Sequence, residues 1–379
     1  MRALRRGLGV WLALALGAFV IAGGAFGQDE TTRLRELGRA FAAVAQKATP
    51  AVVNINTTTI IPGRTYSPFL GDRVFEYFFG EPFGGMFRTP DREVHSLGSG
   101  VIVDPGGTII TNYHVVAEAQ EIRVILADER EFEAEVVGTD PLTDIAVMRI
   151  KATNVPAVKW GDSERLSIGE WVVAVGSPFG LGQTVTAGIV SAKGRTHPGI
   201  VGYADLLQTD AAINPGNSGG ALLNTDGELV GINTAIISRG GGSEGIGFAI
   251  PSSTARRVME ALLRDGEVVR GWIGILVERI SGAERARMGA PAEARVRIEN
   301  LVQDSPAHNG GLWPDDVVLS FNGRPITSTG ELRDLIANST IGSEASITVW
   351  RPAERQRLTA RVTVRKHATD RRGRPFPGI

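Results

Sequence analysis

Between Leu97 and about Ile250 the chain repeats one pattern, short apolar runs broken by turn signals, and this restricts the fold more than any other feature. The runs are Gly100–Val103, Thr108–Thr111, Ile122–Leu126, Ala134–Val137, Ile145–Ile150, Trp171–Val175, Thr184–Ile189, Ala221–Leu223 and Leu229–Ile232. Asp104-Pro105-Gly106-Gly107, Asp140-Pro141 and Asp226-Gly227 punctuate them. Strands this short and this closely spaced, with hardly a helix between them, predict a mainly β barrel or sandwich. The 48 glycines fit the same reading, because tight turns use backbone conformations that other residues avoid.

Around this block the organisation changes. Leu34, Leu37, Phe41 and Val44 recur at helical spacing over Thr31–Lys47, Thr49-Pro50 ends the helix, and Ala51–Thr59 reads as a strand. Pro251–Asp265 is an amphipathic helix, with Ser252 or Ser253 as its expected N-cap and Gly266 as its stop. Gly271–Lys366 forms a second unit of roughly 95 residues, a usual domain size. Its expected strands are Ile273–Val277, Arg295–Ile298, Val317–Phe321, Ser346–Trp350 and Leu358–Val364, with a helix over Thr329–Asn338. The expected division is an N-terminal segment 1–27, a helical segment 28–48, a β domain 49–255, a linker 256–270, a small α+β domain 271–366 and a loose tail 367–379.

Two segments lie outside this scheme. Tyr66–Phe87 holds six of the 14 phenylalanines at no regular period, and is expected to be a loop that packs on a partner subunit. Met1–Arg6 carries three arginines, and the next 22 residues, Gly7–Gln28, are uncharged. A basic flank followed by an apolar stretch predicts export, as a cleaved signal peptide ending near Ala25-Phe26-Gly27 or as a membrane anchor. The absence of cysteine excludes a thiol nucleophile, thiolate metal sites and disulfides. The 40 basic and 41 acidic residues nearly cancel with no basic block, so nothing points to nucleic acid.

Gly216-Asn217-Ser218-Gly219-Gly220 is the strongest chemical signal. A serine hydroxyl attacks a carbonyl only with a base against it, and the flanking glycines permit a turn that aims the Gly216 and Ser218 N–H groups at a developing oxyanion. Of the five histidines, His114 directly follows an apolar strand and is the expected base. Asp144 opens the strand Ile145-Ala146-Val147-Met148, where a carboxylate needs a partner, so it is the expected orienting acid. Asp140, next to Pro141, reads as a turn opener. The order His, Asp, Ser is that of chymotrypsin-type peptidases.

Thr111-Asn112-Tyr113-His114-Val115, Asp140–Val147, Gly176-Ser177-Pro178-Phe179-Gly180, Thr209–Gly220 and Gly231-Ile232-Asn233-Thr234-Ala235 together resemble the HtrA/Deg-type serine proteases over about Thr49–Val364. The resemblance implies two six-stranded β-barrels with the triad between them, no cofactor or metal, a homotrimer, and extracytoplasmic protein quality control. It also implies an oxyanion loop of Gly216, Asn217 and Ser218. Tyr113 and Ser177 depart from the family's commoner Asn without removing a catalytic group.

Ala212, six residues before the serine, excludes an acidic pocket. Ile213 and Asn233, Thr234, Ala235 and Ile236 are the expected substrate-binding wall, selecting small aliphatic side chains. The second unit resembles a PDZ domain, in which Trp272, Ile273, Gly274 and Ile275 bind peptide C-termini. The loop Ser191–Leu207 corresponds to the family's sensor loop, with Arg195 as the expected regulatory contact to the PDZ domain or a neighbouring subunit. A non-catalytic chaperone or scaffold working through the PDZ groove is the alternative reading.

Overall fold

The structure is a computed structural model that describes residues 31–61, 92–178, 182–197, 201–236, 243–367 and 378–379. The expected N-terminal export segment, the aromatic stretch Tyr66–Phe87, residues 198–200 of the expected sensor loop and residues 368–377 of the expected tail lie outside the described residues.

Helix α1 spans 31–48. Six strands then form a closed barrel: β1 (Val52–Ile61), β2 (Arg92–Ile102), β3 (Thr108–Thr111), β4 (Glu121–Ile125), β5 (Glu131–Asp140) and β6 (Ile145–Ile150), in the order β1-β2-β3-β6-β5-β4. A one-turn helix, α2 (Tyr113–Val116), follows β3. The strand patterns follow from where the side chains go. Strand β4 alternates, burying Ile122 and Val124, whereas β6 buries every residue except Arg149 because both of its faces are covered. Register places Val101 beside Ile110 and Ile110 beside Val147, so apolar side chains of neighbouring strands share the barrel interior.

A second closed barrel comprises β7 (Trp171–Gly176), β8 (Thr184–His197), β9 (Val201–Thr209), β10 (Ala221–Leu223), β11 (Leu229–Ile236) and β12 (Gly247–Pro251), in the order β10-β11-β12-β9-β8-β7. Two of these strands escape sequence patterning. In β9, Asp205 and Gln208 interrupt the apolar run, and β12 is five residues long and ends in proline. One continuous apolar core joins the two barrels, from Ile55 and Ile110 to Leu206 and Ile232.

Helix α3 (Ser252–Asp265) packs against β5, β6 and β11 and ends at Gly266 in the left-handed conformation, as expected. Its N-cap corrects the sequence reading. Pro251 holds that position, and Ser252 and Ser253 lie inside the first turn. Their hydroxyls donate to the Gly161 carbonyl at 2.9 Å and to Glu164 at 2.7 Å, so a neighbouring loop claims the groups a cap would use.

The remaining strands are β13 (Gly271–Trp272), β14 (Ile275–Arg279), β15 (Val296–Leu301), β16 (Val317–Phe321), β17 (Arg324–Pro325), β18 (Glu344–Arg351), β19 (Gln356–Thr363) and β20 (Arg365–Lys366). They form a sheet ordered β14-β15-β16-β18-β19, with β17 beside β16, and a β13–β20 ribbon. Helices α4 (Gly282–Arg287), α5 (Pro306–Asn309) and α6 (Thr329–Ala337) complete this unit. Its own core includes Ile273, Ile298, Val318, Phe321, Leu332 and Ile347.

At the base of this core Asp316 is fully buried and accepts from Arg351 Nε at 2.9 Å and from a second guanidinium nitrogen at 2.8 Å. The carboxylate raises the Arg351 pKa above its ordinary value, and the guanidinium lies 4.0 Å from the centre of the Trp313 ring. Removing one partner of a buried, hydrogen-bonded ion pair strands the other charge. Asp316→Ala is therefore expected to destabilise this unit by about 3–5 kcal/mol, read from urea unfolding followed by tryptophan fluorescence. Loss of under about 1 kcal/mol would mean that the pair contributes no more than an exposed one.

Candidate active site

Three segments converge where the barrels meet. His114 sits in α2, just past the buried end of β3, where Asn112 and Thr111 are wholly buried. Asp144 immediately precedes β6 and has φ +55°, an uncommon conformation for a non-glycine residue. This twist turns both carboxylate oxygens toward α2. Oδ1 accepts from the His114 backbone N–H at 2.9 Å, and Oδ2 meets His114 Nδ1 at 2.8 Å. The side chains of His114 and Asp144 are each only 5% exposed, so the pair is largely shielded from screening water. With the carboxylate accepting at Nδ1 the ring proton lies there, and Nε2 is the basic nitrogen.

The second barrel reaches the same carboxylate. Thr234 of β11 donates its hydroxyl to Asp144 Oδ2 at 2.7 Å, and its carbonyl accepts from Ser218 Oγ at 3.3 Å. One residue thus joins the serine to the Asp144–His114 pair. Main-chain bonds hold the acid's turn as well: Tyr113 N and Asn112 Nδ2 both donate to the Asp144 carbonyl at 3.0 Å.

The serine loop is fitted against β2. Gly216 has φ +95° and Gly219 φ +82°, and a Cβ on Gly219 would lie 2.1 Å from the Ser99 carbonyl oxygen, so the close approach requires glycine. Ser99 N donates to the Ser218 carbonyl at 2.8 Å, and Ser99 Oγ donates to the Gly216 carbonyl at 2.6 Å while accepting from Ser177 N at 2.8 Å. Asn217 N bonds the Asn214 carbonyl at 2.9 Å, closing the turn. Sequence reasoning missed Ser99; its placement between Gly98 and Gly100 on a strand was the available signal.

The expected substrate wall divides by role. Ile213 is 1% exposed against Gly247, and Ile236 is buried. The Asn233 amide is committed to the Ala221 carbonyl at 3.0 Å inside the barrel, and the Thr234 hydroxyl to Asp144. Neither side chain is therefore offered to a substrate, and the Asn233 main chain is engaged as well, its N–H donating to the Gly220 carbonyl at 2.9 Å and its carbonyl accepting from Gly219 N at 2.8 Å. The Ala235 side chain is outside the described features.

Asp140 opens its turn as expected, accepting from Thr143 N at 3.3 Å, but it also has a partner the sequence did not indicate. Arg270, the residue before β13, forms a bidentate pair with it at 2.7 and 2.6 Å, and both side chains are nearly buried. Arg195 bonds Gln208 at 3.2 Å across its own hairpin. Among the described residues an ion pair joins that hairpin to the PDZ-like unit, Arg333 of α6 to Asp205 of β9, at 2.7 Å. In the PDZ-like unit the N–H groups of Ile273, Gly274 and Ile275 converge on one acceptor, the main-chain oxygen of Ile379.

Paired six-stranded barrels with a serine, a histidine and an aspartate gathered at their junction define a chymotrypsin-type serine peptidase. Residues 98–232 match the trypsin-like peptidase domain and residues 271–364 match the PDZ domain. A probable periplasmic serine endoprotease, DegP-like, from Pseudomonas putida (strain GB-1) is 43% identical over 342 residues, 88% of this chain and 72% of that protein. A Halomonas elongata protein of the same description is 41% identical and covers 96% of this chain and 77% of its own length. The HtrA-type protease AlgW, solved with a tripeptide, superposes with a TM-score of 0.73 at 38% identity, covering 87% of this chain and 98% of that one. The chain belongs to the HtrA-type, DegP-like family of serine endoproteases. Its compartment is the periplasm, as for the relatives.

Ser99 supports a prediction of its own. Ser99→Ala leaves two buried backbone groups without a partner, each at about 1–3 kcal/mol. It is expected to lower kcat roughly tenfold to a hundredfold with KM little changed, measured on a fluorogenic peptide. A KM effect without a kcat effect would show that the loop is not what Ser99 holds.

Proposed function

We propose that the chain hydrolyses peptide bonds with Ser218 as nucleophile, His114 as general base and Asp144 as the acid that orients it. The observation that carries this reading is the hydrogen-bonded path from Ser218 through Thr234 to Asp144 and His114. In the productive state the Ser218 hydroxyl exchanges its bond to the Thr234 carbonyl for one to His114 Nε2. The imidazole takes the proton as Oγ attacks, then returns it to the leaving amine. Asp144 stabilises the imidazolium through Nδ1. The Gly216 and Ser218 amides, with Asn217 setting the turn between them, receive the oxyanion. No cofactor or metal is needed for these steps.

Ala212, Ile213 and the β11 main chain from Asn233 to Ile236 offer no charge to a P1 side chain, and Ile213 is apolar. This supports cleavage after small aliphatic residues such as Val or Ala, with β11 pairing to the substrate backbone. Trp272–Ile275 is the peptide-binding loop of a PDZ domain spanning 271–366, behind a protease domain spanning 49–255. AlgW was solved with a decapeptide and with a tripeptide, which supports peptide as the ligand class here. The Asp205–Arg333 pair supports control of the sensor loop by the PDZ domain, with Arg195 on the same hairpin. A homotrimer, and possession of either a cleaved leader or a membrane tether, complete the reading.

Incubation with an unfolded protein, followed by mass-spectrometric mapping, tests it. The wild type should cut after Val and Ala, and Ser218→Ala should lose activity by roughly a millionfold while unfolding at the same temperature. Cleavage mainly after Lys or Arg would overturn the pocket assignment, and undiminished cutting by Ser218→Ala the nucleophile.

A further inference from the structure

We propose that Gly378–Ile379 fills the PDZ peptide groove as an internal ligand, which an incoming peptide must displace. The proposal rests on the reading of Trp272–Ile275 as the peptide-binding loop. Three consecutive amides, those of Ile273, Gly274 and Ile275, donate to the main-chain oxygen of Ile379 at 3.3, 2.9 and 3.1 Å. Ile379 N donates back to the Ile275 carbonyl at 2.9 Å. Bonds in both directions to Ile275 are the pattern of an added strand on β14, the geometry by which peptides extend a sheet edge. The nest of amides that would receive a peptide's terminal oxygen is therefore already engaged.

Side-chain packing supports the same placement. Ile379 is 7% exposed and belongs to the apolar cluster of Ile273, Ile275 and Leu312. Burying an isoleucine contributes on the order of 1.5–3 kcal/mol, which gives the docked residue a reason to stay. Gly378 has φ +80°, and a Cβ there would lie 2.6 Å from the Ile275 carbonyl oxygen, so no larger residue fits the approach. The Gly378 carbonyl faces His367 Nε2 at 3.2 Å, and the His367 ring meets Trp272 edge-on with centroids 6.2 Å apart. Gly378 and Ile379, in a segment expected to be loose, thus occupy a site with two-way backbone pairing, an apolar pocket and a side-chain contact.

An internal ligand acts at an effective concentration in the millimolar range, set by its tether. An external peptide then sees its affinity reduced by the fraction of groove left open. The same contacts state which peptides compete: those carrying a β-branched aliphatic residue preceded by glycine.

The test compares three full-length proteins, all carrying Ser218→Ala so that no peptide is cut: the parent, Ile379→Lys and Gly378→Val. Binding of a fluorescein-labelled hexapeptide ending in Gly-Ile is read by anisotropy. Both variants lose the internal contact by different means, charge in an apolar pocket and a clash with Ile275. Both are expected to bind the probe at least tenfold more tightly than the parent. Equal affinity in all three overturns internal occupancy while leaving the peptide-binding reading intact. No binding in any of the three overturns that reading, and the proposal with it.

Discussion

The Asp144 carboxylate is the point on which the two barrels depend for a common chemistry. Oδ1 accepts the backbone N–H of His114, and Oδ2 accepts from His114 Nδ1 and from Thr234 of the opposite barrel. Burying a carboxylate is costly without such partners, and these bonds offset the desolvation. The left-handed backbone at Asp144 aims both oxygens at once, a strained conformation held by the bonds from Tyr113 and Asn112 to its carbonyl. Apolar packing brings the barrels together, but it is non-directional. The register between histidine and serine is specified by hydrogen bonds through Thr234.

Around that point, several small polar residues act as braces. Ser99 carries the serine loop on β2 by gripping Gly216 with its hydroxyl and Ser218 with its amide, and Thr111 in turn donates to the Ser99 carbonyl at 2.6 Å. The serine loop is thus tied twice to β2, and β2 is tied by the Thr111 hydroxyl to the strand before His114. Rigid barrels supply the positions, and buried hydroxyls of Ser and Thr set the fine geometry.

Among the described residues the PDZ domain touches this machinery through two ion pairs, and Leu142, two residues before Asp144, also packs against its core. Arg270, at the domain entrance, pairs with Asp140, which lies in the same turn as Asp144 and also accepts from the Thr143 hydroxyl. Arg333 of α6 reaches Asp205 on the hairpin that leads to the serine loop. Arg270 directly precedes β13, which carries Trp272 of the proposed peptide-binding loop. Ile379 sits against Ile273 and Ile275, and His367 N bonds the Arg270 carbonyl at 2.8 Å, so groove, ribbon and Asp140 pair form one connected region. A peptide that replaces the docked tail would enter at this region.

The apolar rhythm from Leu97 to Ile250, the glycines around Ser218 and the order of His114, Asp144 and Ser218 were enough to read a mainly β serine peptidase, and the resemblance to HtrA/Deg-type proteases implied its two barrels. Local patterns carry that information because strands and tight turns are set by neighbouring residues. They failed where partners come from far along the chain. Strand β9 was invisible because its polar residues serve distant groups, as Asp205 does Arg333. The N-cap serines of α3 were claimed by the loop at Gly161 and Glu164. Thr234 was named for a pocket wall, and its hydroxyl bond to Asp144, 90 residues away in sequence, was not foreseen. The sequence alone therefore determined which residue types are present, in what order and on which elements. The tertiary structure decided which of them share a proton, a charge or a groove, because hydrogen bonds depend on distances that only the closed barrels and the docked chain end bring within reach.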